Sequence, residues 1–150
     1  MVAQGHTQQH GVDYNEVFAP VVKMTSIRSI LAISNELDLE VHQMDVRSAY
    51  LNGIHTEEIY MKQPEGFINE KYPHRVCRLK KSLYGLKQSA RCWHEALTEY
   101  LKDTGYVQST ADGCIYYFKK INNFLIMAVY VDDTVLALSL IHISEPTRPY

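Results

Sequence analysis

Apolar residues recur with two different periods along this chain, and the changes of period mark its elements. After Thr25 or Ser26, either a suitable N-cap, Ile27, Ile30, Leu31, Ser34 and Leu37 keep helical spacing and predict an amphipathic helix. Residues 41–46 are short, largely apolar and β-compatible, and they deliver Asp45 near their end. The run Ser48 to Gly53 then predicts a turn or a single helical turn closed by Asn-Gly. Short strands are predicted at 58–62, stopped by Pro64-Glu65-Gly66, and at 76–79. Gly85 introduces the clearest helix, in which Leu86, Ala90, Trp93, Leu97 and Leu101 form one apolar stripe and Gly105 marks the end. Two strands at 115–118 and 124–131 pair across 120–123, and a third apolar run follows to Leu138. The order predicts an α+β or α/β sandwich with helices packed on one face of the sheet. The first twenty residues read as loop or edge structure cut from a longer segment. Residues 139–150, with two prolines and no amphipathic period, read as a disordered tail.

The strongest polar interruption of an apolar stretch is Asp132-Asp133, set between two runs that read as buried strands. Adjacent carboxylates in such a place are costly, since each loses hydration and the two repel. Three arrangements relieve that cost: a Lys or Arg from distant sequence, a divalent cation held by hard oxygen ligands, or a solvated hairpin tip. Asp45 ends a second predicted core strand in the same way, with a helix N-cap or a salt-bridged turn acid as the alternatives.

Composition narrows the classes. With 150 residues and 46% hydrophobic residues, the chain has the size and core of one domain or a piece of one. Its longest apolar run is broken at Asp132, which predicts no membrane span, and the first twenty residues hold no signal-peptide core. Three cysteines, Cys77, Cys92 and Cys114, lack metal-motif spacing and suggest reduced thiols in an intracellular protein. A zinc site from His74, Cys77, Cys92 and His94 is disfavoured because Cys92 and His94 diverge on a helix. The net charge of −2 argues against a generally cationic nucleic-acid binder. Yet Arg75, Arg78, Lys80, Lys81, Lys87 and Arg91 fall in one stretch without Asp or Glu. That cluster fits either phosphate contacts, with Tyr84 and Trp93 interleaved, or a solvated charged face.

Five ordered motifs resemble the reverse transcriptase of copia-type LTR retrotransposons. They are Val21-Val22-Lys23 with Ser26-Ile27-Arg28, Gln43-Met44-Asp45-Val46 with Tyr50-Leu51-Asn52-Gly53, Ile59-Tyr60-Met61-Lys62-Gln63-Pro64, Leu83-Tyr84-Gly85-Leu86-Lys87-Gln88, and Tyr130-Val131-Asp132-Asp133. The resemblance covers residues 1–138. It implies part of a right-hand polymerase, fingers and palm, with helices on one face of an antiparallel sheet. It also implies that Asp45, the Val46 carbonyl, Asp132 and Asp133 hold two Mg²⁺ ions, or Mn²⁺, with Asp132 the first choice as direct ligand of the pair. Tyr50 matches an aromatic that excludes a ribose 2′-hydroxyl, while Tyr84, Gly85, Lys87 and Gln88 match a nucleotide- and template-pocket motif. Arg75, Arg78, Lys80, Lys81 and Arg91 become candidate nucleic-acid contacts, and Lys23 and Arg28 candidate fingers contacts.

The implied partners are an RNA or DNA template, a DNA primer, a deoxynucleoside triphosphate, and the thumb and ribonuclease H regions of a parent polyprotein. The implied setting is a cytoplasmic virus-like particle. Gln4 departs from the family's usual Lys, and 139–150 reads as foreign or artefactual sequence. The expected function is RNA-directed DNA synthesis, inactive or weak in the isolated fragment. A non-catalytic RNA-binding α+β domain and a non-functional relic are the alternatives.

Overall fold

The computed structural model describes residues 2–120 and 123–139. Along the chain run α1 (Met24–Glu36), β1 (Glu40–Asp45), a 3-10 turn (Ala49–Asn52), β2 (Tyr60–Lys62), β3 (Val76–Arg78), α2 (Ser89–Asp103), β4 (Val107–Gln108), β5 (Ile115–Lys120), β6 (Asn123–Tyr130) and β7 (Asp133–Leu138). Two compact units result, each built from two separated stretches: Met1–Ala19 with Ser48–Leu97, and Pro20–Arg47 with Thr98–Tyr150. The division falls within α2.

The second unit is an antiparallel five-stranded sheet in the order β1-β7-β6-β5-β4. Its centre is β6, where the consecutive residues Ile126, Met127, Ala128 and Val129 are all buried. A strand covered on both faces has no polar side to show, which is why this stretch reads as an unbroken apolar run. On one face Ile126, Ala128 and Ala137 pack with Val22, Ile30 and Cys114, so that α1 lies across the sheet. On the other face Tyr116, Met127 and Leu136 stand side by side in register. The fully buried Tyr116 meets the Thr98 hydroxyl of α2 at 2.6 Å. The expectation that the helices share one face is therefore corrected. Side-chain alternation along β5 and β6 sends apolar residues both ways, and each face takes its own helix.

Two further corrections follow from the same unit. All six residues of β1 are exposed, so it is a sheet-edge strand and not a core strand. Helix α1 begins at Met24 with Lys23 as N-cap, and the Lys23 side chain makes no capping bond. Asp112 does that work from about ninety residues away. Its Oδ2 accepts the Lys23 backbone N–H at 3.0 Å and the Ser26 hydroxyl at 2.6 Å, while Oδ1 accepts the Cys114 N–H at 3.0 Å. The two-residue strand β4 was not anticipated, because two residues carry no period.

In the first unit β2 and β3 form a hairpin, with Met61 opposite Cys77. The N-terminal segment is tied in by the Ala3 N–H, which donates to the Tyr84 carbonyl at 2.7 Å. Gly53 lies so close to the start of α2 that a Cβ there would sit 2.8 Å from the Trp93 nitrogen. Of the expected stripe, Trp93 is buried and Leu86 precedes the helix. The tail expectation falls, beyond Ser139, outside the described residues. Ser139 itself donates its N–H to the Phe124 carbonyl at 3.0 Å.

Candidate functional site

The three aspartates singled out in the sequence come together at one end of the β1/β7 pair. Asp45 lies directly opposite Asp133, and the next rung is closed by the Val46 N–H donating to the Asp132 carbonyl at 2.8 Å. Cross-strand partners project from the same face of a sheet, so Asp45 and Asp133 share one. Gln43 donates its amide to Asp133 Oδ1 at 3.4 Å, a long bond that leaves the carboxylate available. Asp132 occupies the two-residue turn between Tyr130 and Asp133. Its neighbour Val131 has a φ of 59°, the left-handed region that a β-branched residue rarely enters. A two-residue connection with only its first residue at positive φ is a II′-type hairpin turn.

Burial of these carboxylates was expected and is not observed. Asp45 and Asp133 are exposed and Asp132 is half-buried, because the turn carries them past the buried middle of the strands. In water two unit charges about 5 Å apart repel by less than ~1 kcal/mol, so the pair is tolerated without a buried counter-charge. The case for a cation thus rests on convergence of hard oxygen donors and not on relief of a desolvation cost. Among the described residues no three His, Cys, Asp or Glu side chains already stand at metal-binding distance. The donor chemistry, carboxylates with a neighbouring backbone carbonyl, fits a hard divalent ion that keeps several waters.

In the first unit Tyr50 and Tyr84 pack against each other, with ring centroids 4.8 Å apart and planes tilted by 44°. Gly85 has a φ of 94°, in the left-handed region, and a Cβ there would run into the Ala3 carbonyl. Lys87 is exposed, with its ammonium 5.8 Å from the Tyr14 ring centroid. Gln88 is fully buried, and both ends of its amide are engaged. Its oxygen accepts from the Gln8 amide at 3.0 Å, and its nitrogen donates to the Asp13 carbonyl at 2.8 Å.

The basic residues separate into two kinds. Lys80 and Lys81 are exposed, Arg75 stacks 3.8 Å over the Tyr72 ring, and Arg78 pairs with Glu58 at 2.7 Å on the surface. Arg91, expected as a nucleic-acid contact, is instead consumed inside the unit. It bonds Glu57 at 3.3 Å, Glu95 at 2.9 Å and the Glu16 carbonyl at 2.9 Å, with its side chain only 19% exposed. Its helical position four residues before Glu95 was legible in the sequence, but the Glu57 and Glu16 contacts were not. Burial raises the Cys92 thiol pKa, partly offset by the Ser82 hydroxyl. Burial, with Asp112 nearby, pushes that of Cys114 to about 11. Neither is a ready thiolate ligand near neutral pH.

These features define an α+β domain with an antiparallel sheet, two helices and a carboxylate cluster at a strand end. Residues 1–146 match the family model for reverse transcriptase (RNA-dependent DNA polymerase), and the chain belongs to that family. It is 49% identical over 138 residues to the retrovirus-related Pol polyprotein from transposon TNT 1-94 of Nicotiana tabacum, covering 91% of this chain and 10% of that one. To the Pol polyprotein from transposon RE1 of Arabidopsis thaliana it is 42% identical, covering 91% and 9%. To the Ty1-BL Gag-Pol polyprotein of Saccharomyces cerevisiae it is 33% identical, covering 90% and 7%. The chain thus spans about a tenth or less of the length of these relatives. No solved structure matches. Among the described residues no helix is long and apolar enough to cross a membrane.

Proposed function

We propose that this chain is fingers and palm sequence of an RNA-directed DNA polymerase, working within a longer Pol polyprotein on a template, a DNA primer and a deoxynucleoside triphosphate. The observation that carries this reading is the placement of Asp45 opposite Asp133, with Asp132 in the adjoining turn. In this reading Asp45, Asp132, Asp133 and the Val46 carbonyl hold two Mg²⁺ ions. Bound there, such ions activate a primer 3′-hydroxyl and stabilise the departing pyrophosphate.

The chain's own contribution is positioning. The ladder between β1 and β7 fixes the spacing of Asp45 and Asp133, and the Val46 N–H holds the turn that carries Asp132. The Gln43 amide orients Asp133. The bulk of Tyr50, braced by Tyr84, serves to exclude a ribose 2′-hydroxyl. Arg75, Arg78, Lys80 and Lys81 serve as phosphate contacts.

Titration of the purified chain with Mg²⁺ or Mn²⁺, followed by backbone amide shifts, tests the metal site. Saturable shifts at Asp45, Asp132 and Asp133 that disappear in Asp45→Asn support it. A folded chain without such shifts rejects it and leaves the non-catalytic RNA-binding reading.

A further inference from the structure

Two glycines let the N-terminal segment lie directly on the turn that precedes α2. Gly5 is buried, and a Cβ there would run into the Gly85 carbonyl, just as one at Gly85 would run into that of Ala3. From this close approach the side chain of Gln8 reaches two consecutive residues of the turn. Its Oε1 accepts the Lys87 backbone N–H at 2.8 Å, and its Nε2 donates to Gln88 Oε1 at 3.0 Å. Gln88 in turn donates its own amide to the Asp13 carbonyl at 2.8 Å. Both ends of this run are fixed by chemistry, since a backbone N–H only donates and a carbonyl only accepts. Each of the two amides therefore has one orientation that satisfies it.

The two residues that Gln8 holds differ in what they offer a ligand. Gln88 is fully buried, so it touches no nucleotide, and its amide is costly to leave unpaired. Lys87 is exposed, with its ammonium 5.8 Å from the ring of Tyr14 in the same N-terminal segment and with no ion pair among the described residues. A lysine side chain has many rotamers, so where its charge can reach is set by the backbone from which it leaves. We propose that Gln8 is a positioning residue for nucleotide binding: by holding Lys87 and Gln88 at once, it fixes the turn from which Lys87 presents its ammonium to a phosphate group. That phosphate belongs either to a deoxynucleoside triphosphate or to a template strand. The inference rests on the polymerase reading for this ligand, and on the geometry of the first unit for the role of Gln8.

The test titrates the whole chain with deoxycytidine triphosphate and Mg²⁺ and, separately, with a short single-stranded RNA, read by amide shifts at 84–88. The arm that saturates identifies the source of the phosphate. Gln8→Met, similar in length but without the amide, is expected to bind that ligand about tenfold more weakly, the value of one lost hydrogen bond. Lys87→Ala is expected to lose a similar factor. Adding Gln8→Met to Lys87→Ala is expected to cost no more than about twofold, because Gln8 acts through Lys87, whereas a merely structural Gln8 gives losses that multiply. Hydrogen exchange at the Lys87 amide without ligand gives a second reading. Gln8→Met is expected to expose that amide, while Gln8→Glu, which keeps the acceptor, is expected to protect it. Unchanged affinity in Gln8→Met, losses that multiply, or equal protection of the Lys87 amide in all three proteins overturns the inference. No saturable shift at 84–88 with either ligand overturns it as well. Divalent-ion shifts at Asp45 and Asp133 on the same sample report separately on the polymerase reading, so the inference can fail while that reading stands.

Discussion

Asp45 and Asp133 face each other across the β1/β7 ladder, two like charges as direct cross-strand partners on exposed backbone. Directly opposed like charges cost a sheet rather than support it. Without divalent ions, Asp45→Asn or Asp133→Asn is therefore expected to raise stability by about 0.2–1 kcal/mol. Each is also expected to abolish the saturable ion-induced shifts. Chemical denaturation with and without Mg²⁺ checks this, and a loss of stability in both ion-free variants would contradict the opposition.

Arg91 and Lys81 sit in one basic stretch but should behave differently. Removing Arg91 strands the nine-tenths-buried Glu57, so Arg91→Ala is expected to cost about 3 kcal/mol of stability. Lys81→Ala is expected to leave stability within ~0.5 kcal/mol. It should instead reduce the slope of log affinity against log salt for single-stranded RNA by about 0.7, one phosphate contact. Denaturation curves paired with binding at several salt concentrations separate the two roles.

Asp112 gives the second unit a pH dependence. Burial alone would raise its pKa, but the Ser26 hydroxyl, the Lys23 and Cys114 N–H groups and the Lys23 charge bring it below the ordinary aspartate value. A carboxylate depressed in this way contributes stability that is complete above its unfolded pKa and lost as pH falls through its folded one. Asp112→Ala is expected to cost about 2 kcal/mol at neutral pH, the upper end for a lost helix cap. The gap to wild type should stay constant above about pH 5 and shrink below ~4. A gap that widens on acidification would show the sign to be wrong.

Val131 carries the left-handed conformation that a glycine adopts without strain. Val131→Gly is expected to be neutral or stabilising by up to ~1 kcal/mol, as relief of strain offsets the lost side chain. The same change at buried Val129 should cost several kcal/mol, on the order of 2–4. Thermal melts of the two variants compare them directly.

Much of this protein was readable from its residues alone. The periods of α1, α2, β5 and β6, the hairpin pairing of the last two, and the ordered motifs that lead to the family are properties of short stretches. Backbone preference and side-chain alternation act over a few residues, so they leave a local signature. The sequence also pointed to Asp45, Asp132 and Asp133, by setting polar groups at the ends of apolar runs.

What it did not determine were the relationships between distant stretches. Asp112 capping α1, Arg91 bonding Glu57, and Gln88 bonding Gln8 and Asp13 join residues 34 to 89 positions apart, far beyond any period. Edge position made β1 exposed, and alternation on a sheet covered from both sides gave each helix its own face. A side chain's partner is chosen by whichever residue the packed chain brings within about 3 Å, and sequence distance carries no trace of that choice. Only the tertiary structure could turn a basic residue into a core ion pair and a presumed buried aspartate into an exposed one.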